Sequence, residues 1–302
     1  MADPLSEVVT LLRPRAILAK GISGAEPWAV RYSDFGQPGF CTVLEGRCRL
    51  HVDGHDPVTL ETGDFVLLPA TPGFTMSGFE PATPTLIDSR AAAGTDEEVR
   101  HGSPDGDPDV RLLGGYFLFD SPDAGLLVSL LPAIIHLRRV ERLSALVRMV
   151  AEEARAERPG RDIVLARLVE IVLIEALRSM PGEDAPPGLL RGLGDARLAQ
   201  AMRQMHADPA HPGTMAQLAQ RAALSRSAFF DRFTRAVGLP PMEYLLGWRM
   251  ALAKDLLRRG GIGLEQVAER VGYGSASTFS TAFSRHAGMP PGRFARAAAL
   301  AA

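Results

Sequence analysis

Between Thr214 and Arg296 one arrangement of apolar and polar positions occurs twice. The segments TMAQLAQRAALSRSAFFDRFTRAVGLPP and GLEQVAERVGYGSASTFSTAFSRHAGMPP each begin with a short helical stretch whose inward positions are adjacent: Leu218 and Ala219, then Val267 and Ala268. A corner follows, at Leu224-Ser225 and from Gly272 to Ser275. Two phenylalanines one turn apart then mark the buried face of a second helix, Phe229 with Phe233 and Phe279 with Phe283. Thr214 with Gln217 three residues on has the form of a capping box, and Ser225 and Ser275 are placed to cap the second helices. Gly238 to Pro241 and Gly288 to Pro291 end both copies. The pattern predicts two helix-turn-helix units. Tyr244, Leu245, Trp248, Leu252, Leu256 and Leu257 mark a long amphipathic helix that holds them at a fixed separation. Asp195 opens a further helix with Leu198, Ala201, Met202 and Met205 on one side, ending before Asp208-Pro209 and bracing the first unit.

Upstream the periodicity changes twice. Asp3-Pro4 with Leu5, Val8, Val9 and Leu12 reads as a short capped helix ended by Pro14, whose apolar face needs a partner. From Ala16 to about Phe119 the period is two. Strands are expected at Trp28 to Tyr32, Phe40 to Leu44, Arg47 to Val52, Phe65 to Leu68, Thr85 to Ser89 and Arg111 to Phe119, forming a small antiparallel barrel or sandwich. Glu45-Gly46 reads as a hairpin turn, Asp53-Gly54 as a turn between His51 and His55, and Gly63-Asp64 as the start of FVLLP, closed by Pro69. Ala91 to Asp109, rich in Ala, Gly, Pro and acid, reads as a mobile surface loop.

Leu143, Leu146, Val147, Val150 and Ala154 then make one helical face. After Arg158-Pro-Gly160, a helix from Ile163 to Ile174 is apolar nearly all round, so it must pack on the barrel or on a second copy. Pro181 to Gly188 lacks periodicity and reads as linker. The expected fold is α+β with two domains: an N-terminal antiparallel β-barrel plus a helical pair, and a C-terminal all-α double helix-turn-helix. The boundaries are a barrel domain over 1–132, a helical hairpin for dimerisation over 133–180, a linker over 181–194 and the helical domain over 195–302.

Charge sharpens this division. The net charge of −2 over 302 residues hides fifteen Lys/Arg against seven Asp/Glu from Leu190 onward, and eighteen against twenty-eight before it. The basic part coincides with the helix-turn-helix pair, as attraction to phosphates requires. The amino terminus lacks a basic, apolar leader, and no apolar run approaches ~18 residues, so a cytoplasmic protein without a membrane partner is expected. Two cysteines cannot build a disulfide framework.

Val267-Ala-Glu-Arg-Val-Gly-Tyr273, Ser277-Thr-Phe-Ser280, Phe283 and Gly288-Met-Pro-Pro resemble the C-terminal signature of the AraC/XylS transcription regulators. FCTVLEGRCRLHVDG followed by ETGDFVLLP resembles the cupin-type sensor domain that precedes it in many members. The resemblance implies a sequence-specific regulator of double-stranded DNA, with two recognition helices entering major-groove faces one turn, ~34 Å, apart. It implies a homodimer, a small-molecule effector and RNA polymerase as partners. The activator role is likewise the family's; nothing in the residues separates activation from repression. Carried onto this chain, Ser227, Phe230 and Asp231 of the first unit and Ser277, Thr278, Ser280 and Thr281 of the second are the DNA-reading positions. Phe230 would lie against thymine methyls; Asp231 would accept from a cytosine amine or pair with Arg235. Arg226, Arg232, Arg249, Arg285 and Arg293 are candidate phosphate contacts.

Metal-binding cupins carry a His pair and Glu where this chain has Phe40, Cys41 and Thr42, and a His where it has Phe74. No metal, cofactor or catalytic residue is therefore expected, and His51, His55 and His101 read as solvated loop residues. Across the expected hairpin Cys41 and Cys48 would lie diagonally at ~7 Å, too far for a disulfide, so they read as two buried thiols. Relatives with this sensor type carry a Cys where Gly114 and Gly115 precede Tyr116, which speaks against an oxidant switch. Two other readings stay open: a metal-dependent cupin enzyme tethered to a DNA-binding module, and a barrel that only dimerises.

Overall fold

The computed structural model describes residues 3–88, 98–121, 124–156, 158–180 and 185–300. In chain order the elements are α1 (Pro4–Leu12), β1 (Pro14–Ala25), β2 (Ala29–Tyr32), β3 (Gly39–Val52), β4 (Val58–Glu61), β5 (Phe65–Leu68), β6 (Phe74–Ser77), β7 (Thr85–Ile87), β8 (Val99–Gly102) and β9 (Val110–Phe119). Then come α2 (Ala124–Ser129), β10 (Ile135–Leu137), α3 (Glu141–Arg155), α4 (Arg161–Arg178), α5 (Leu189–Gly194), α6 (Ala196–Ala207), α7 (Met215–Arg221), α8 (Arg226–Val237), α9 (Pro241–Arg259), α10 (Leu264–Arg270), α11 (Ala276–Ala287) and α12 (Pro291–Leu300).

These elements form two compact units, and neither is continuous in sequence. One comprises Pro14–Asp120 and Pro132–Met180; the other gathers the residues up to Arg13, Ser121–Leu131 and those after Met180. The boundary expected at 132 is thus redrawn: α1 and α2, although they flank the strands in sequence, belong with the C-terminal helices. Local patterning identifies an apolar helix face but not the distant face that covers it.

In the strand unit, one layer runs β8-β1-β9-β3-β5-β10 and the other β7-β2-β6-β3-β4. The long strand β3 belongs to both. Its first part pairs with β5 and β9, Cys41 facing Val66 and Gly114; its last part pairs with β4 and β6, Cys48 facing Leu60 and Leu50 facing Met76. The hairpin expected at Glu45-Gly46 is therefore a bulge inside one strand, with the register to β9 slipping between Val43 and Glu45. Gly46 has φ +77°, and a Cβ there would lie 1.9 Å from the Asp109 carbonyl oxygen. Only glycine allows β9 to approach while the strand turns from one layer into the other. Cys41 and Cys48 consequently lie along one strand rather than across a hairpin, and both are free thiols.

Strand β1, with its Gly, Ala and Lys, carried no clear alternation and was not among the expected strands. It pairs along its length with β9 and, in parallel, with β8. Strand β8 replaces part of the loop expected over Ala91 to Asp109; the part over 91–97, like Ser89, lies outside the described residues. Strands β4, β6 and β10 were also missed.

Helices α3 and α4 pack on β1, β9 and β10. Leu143, Val147, Val150, Leu165, Val169, Val172 and Leu173 face inward and are buried. A stripe of Ile163, Val164 and Ile171 on α4, with Met149 on α3, stays exposed. The Asp64 carboxylate, 3 % exposed, accepts from His136 Nε2 at 2.8 Å and from the Glu61 amide at 3.1 Å, tying β10 to the start of β5.

In the helical unit, Asp3 caps α1, and Val8 and Leu12 are fully buried against α2, α6 and α9. His206 on α6 anchors it: Nδ1–H donates to Glu7 at 2.8 Å, while Nε2 lies 2.7 Å from the Tyr244 hydroxyl and the ring stacks on Trp248 at 4.0 Å. An ionised carboxylate only accepts, so Nδ1 carries the proton and Nε2 accepts from tyrosine. Arg13 completes the attachment with an ion pair to Asp255 at 2.7 Å. The linker expected over 181–194 lies outside the described residues at 181–184; beyond them Ala185 is buried and Leu189–Gly194 forms α5, packed on α6 and α8.

Candidate nucleic-acid interface and barrel cavity

The two helix-turn-helix units are α7–α8 and α10–α11. Thr214 and Gln217 make both hydrogen bonds of a capping box, and Ser225 caps α8 by accepting from the Ala228 amide at 3.2 Å. Ser275 does the same for α11 through the Thr278 amide, also at 3.2 Å. Phe229, Phe233, Phe279 and Phe283 are fully buried, and Gly238 and Gly288 end the helices in the left-handed conformation. With the buried face fixed, the 3.6-residue period turns the remaining positions outward.

On α8, Arg226, Ser227, Asp231 and Arg232 are exposed, as is Phe230 at 44 %. Asp231 makes no ion pair with Arg235 among the described residues. Arg232 pairs through Nε with Asp195, the N-cap of α6. Burial alone would raise the Asp195 carboxyl, but Arg232 and the amides of Leu198 and Arg197 outweigh it and hold the group below its ordinary value. On α11, Ser277, Thr278, Thr281 and Arg285 are exposed and Ser280 is half-buried. Ser280 donates to the Ala276 carbonyl at 2.7 Å and Thr281 to the Ser277 carbonyl at 3.2 Å, so both hydroxyls present acceptor lone pairs outward.

Arg249 departs from the expected set. It is half-buried on α9, its Nε donating to the Pro209 carbonyl at 2.7 Å and Nη2 to that of Ala210 at 3.3 Å. A Cβ built on Gly272, where φ is +83°, would lie 2.7 Å from Arg249 Nη2 and 2.9 Å from Ala210 Cα. The loop before α7, the middle of α9 and the α10–α11 corner thus meet at one point. Arg249 joins the two units to each other. Nothing in its spacing distinguished it from the outward arginines, and nothing in sequence linked Asp195 with Arg232, 37 positions apart.

Between the layers of the strand unit lies a cavity of about 120 Å³. Phe40, Leu50, Val66, Leu68 and Met76 are its buried floor; Lys20, Tyr32, Phe35, Phe74 and Tyr116 are half-buried around it. Tyr32 stacks on Phe74 at 4.7 Å and Phe35 meets Tyr116 edge-on at 5.0 Å. Burial pushes the Cys41 thiol on its wall up to about 12 and the Cys48 thiol higher still, so neither forms the reactive thiolate near neutral pH.

The histidines divide. His51 and His55 are exposed beside the Asp53-Gly54 turn. His101, expected in a polar loop, instead lies on β8 against Trp28 at 6.1 Å, and burial, with Lys20 nearby, lowers its pKa. Among the described residues no three His, Cys, Asp or Glu side chains are grouped to hold a metal ion. No helix of the described residues is long and apolar enough to cross a membrane.

Residues 3–181 match the family described as Cupin, and residues 218–297 match a helix-turn-helix domain family. A putative AraC-like transcription regulator of Streptomyces lividans is 37 % identical over 97 % of this chain and 97 % of its own. One from Streptomyces antibioticus is 36 % identical over 97 % and 98 %. The HTH-type transcriptional regulator AlkR of Acinetobacter baylyi is 34 % identical over 55 % of this chain and 56 % of its own.

Proposed function

Because this chain belongs to the AraC-like transcription regulators, DNA-binding proteins with a cupin-like domain, we propose that α8 and α11 read two stretches of one operator and that the barrel cavity receives the signal controlling them. The observation that carries this is the duplicated scaffold. Two recognition helices share caps, buried phenylalanines and terminal glycines, and are joined through α9 and Arg249, while their outward faces differ. Identical scaffolds with different faces suit an asymmetric site read in two parts.

Base contacts fall to Ser227, Phe230 and Asp231 of the first helix and Ser277, Thr278, Ser280 and Thr281 of the second. Arg226 and Arg285 contact phosphates, and Arg232 does so from its pair with Asp195. The protein acts as a homodimer through the exposed stripe of Ile163, Val164 and Ile171, with RNA polymerase as partner at the promoter. Its chemistry is binding rather than catalysis, in keeping with relatives named as regulators.

Genome-wide mapping of occupied sites, followed by binding of the purified chain to the recovered duplexes across a salt series, tests the reading. A shared bipartite motif and a steep loss of affinity with salt are expected. Equal affinity for every duplex would overturn it. For the dimer, Ile163→Glu with Ile171→Glu should convert a sedimenting dimer into a monomer.

A further inference from the structure

A second cavity belongs wholly to the helical unit, since all its lining residues fall within Ser121–Leu131 or after Met180. It measures about 250 Å³ and is walled by Leu127 and Leu130 of α2, Leu239, and Tyr244, Leu246 and Trp248 of α9. Tyr244 and Trp248 stand one turn apart on α9, and Gly247 beside them carries no side chain to fill the space. The end of α2 is fixed by the Leu189 amide, which donates to the Leu130 carbonyl at 2.8 Å. Leu239 lies two residues past α8, and His286, which also lines the cavity, lies in the last turn of α11. An occupant would therefore touch the chain at the ends of both reading helices.

Two polar features separate this space from a void between leucines. The indole N–H of Trp248 is buried and has no acceptor among the described residues. Glu243 lines the cavity from the exposed side, and among the described residues no cation pairs with its carboxylate. No Lys or Arg lines the cavity, and His286 makes an interaction of its own. Tyr244 already directs its hydroxyl at His206, so its ring is what remains for an occupant.

These walls discriminate by charge. An anion would meet the Glu243 carboxylate in a partly desolvated setting and be repelled; a cation gains from that acid and from the two aromatic rings at once. Size narrows the choice further, because about 250 Å³ exceeds the ~150 Å³ of an apolar cavity known to admit benzene. The apolar body is thus bulkier than one ring.

We infer that the helical unit carries a ligand site of its own, for a small organic monocation whose bicyclic or cage-like hydrocarbon body fills the cavity between α2 and α9 and whose ammonium pairs with Glu243.

Three isosteres test this on the full chain: 1-adamantylammonium, 1-adamantanol and adamantane-1-carboxylate, each titrated by thermal shift and calorimetry. The ammonium should raise the Tm in a concentration-dependent way and bind about tenfold or more tighter than the alcohol, with the carboxylate weakest. Glu243→Gln should abolish the preference for ammonium over alcohol, while Glu243→Asp retains it. The acid also suits the first turn of α9, so the melt of each variant is recorded without ligand; alcohol binding to Glu243→Gln shows independently that the cavity has survived. Leu246→Trp, placed at the exposed side, should block all three. Trp28→Phe leaves Trp248 as the one indole of the chain, and its emission should change along the same binding curve.

Equal affinity for ammonium and alcohol, a preference that persists in Glu243→Gln, Trp248 emission indifferent to bound ammonium, or stabilisation by none of the three would overturn the inference.

Discussion

The two helix-turn-helix units share a scaffold and differ in almost everything placed upon it. Inside, Leu218 corresponds to Val267, Ala219 to Ala268, and the phenylalanine pairs and serine caps are the same residues. Outside, α8 presents arginines, an aromatic ring and an acid, whereas α11 presents a row of hydroxyls followed by Arg285. Their anchorage differs too. The first is fastened by Arg232 to Asp195, by the Gly188 amide to the Ala236 carbonyl, and by α5. The second packs on α9 and α12. Shape and specificity are thus carried by separate positions, and the scaffold can be kept while either face is rewritten.

The largest test of that comparison is to remove a ring from each core. Phe229→Ala and Phe279→Ala should each cost about 3–5 kcal/mol. Because of its extra ties, the first should lower the melting of the whole helical unit, while the second should raise hydrogen exchange chiefly from α10 to α12. Identical exchange patterns would refute the difference in bracing.

Next comes the joint between the units. Arg249→Met should cost about 1.5–3 kcal/mol, the range for hydrogen bonds to a charged group. It should also let the protein accept operators with one base pair inserted between the two read segments, which the wild type rejects; unchanged spacing discrimination would sink the clamp. On the outer faces, Thr281→Ala should lose about 1–3 kcal/mol at particular base pairs only, and Arg226→Ala should weaken every sequence alike and shallow the salt slope by about 0.9. Equal losses on all operator variants for Thr281→Ala would remove it from the base-reading set.

The smallest effect is a pH dependence confined to the braced side. Burial lowers the His206 pKa despite the opposing contact with Glu7. The folded ring is neutral where the unfolded one begins to take up a proton, so its contribution is intact above ~6.5 and fades as pH falls further, by at most about 1.4 kcal/mol per pH unit. Denaturation at about pH 7.5 and 5.5 should display this slope in the wild type and lose it in His206→Gln.

Much of this was readable in the chain itself, because it was local. A serine three residues before an amide, or two rings four positions apart, acts within one or two turns; the caps and buried faces of α8 and α11 lie where the pattern put them. What stayed hidden was decided at a distance. Glu45-Gly46 has the composition of a hairpin, and only the approach of Asp109 makes it a bulge. Arg249 resembles its outward neighbours until the carbonyls of Pro209 and Ala210 are placed beside it. Lys20 sits in a strand without alternation, so neither the strand nor its place on the cavity rim was visible.

The discontinuous path of the helical unit has a consequence for how the protein comes into being. Helix α1 leaves the ribosome before its partners: α2 can cover part of its apolar face, but Val8 and Leu12 gain the rest only when α6 and α9 emerge some two hundred positions later. Until then that face is only partly covered, and the strand unit must fold while tethered between fragments of an unfinished neighbour. Translation that stops after Met180 would yield a complete strand unit carrying α1 with only α2 against its apolar face, a natural handle for chaperones and proteases.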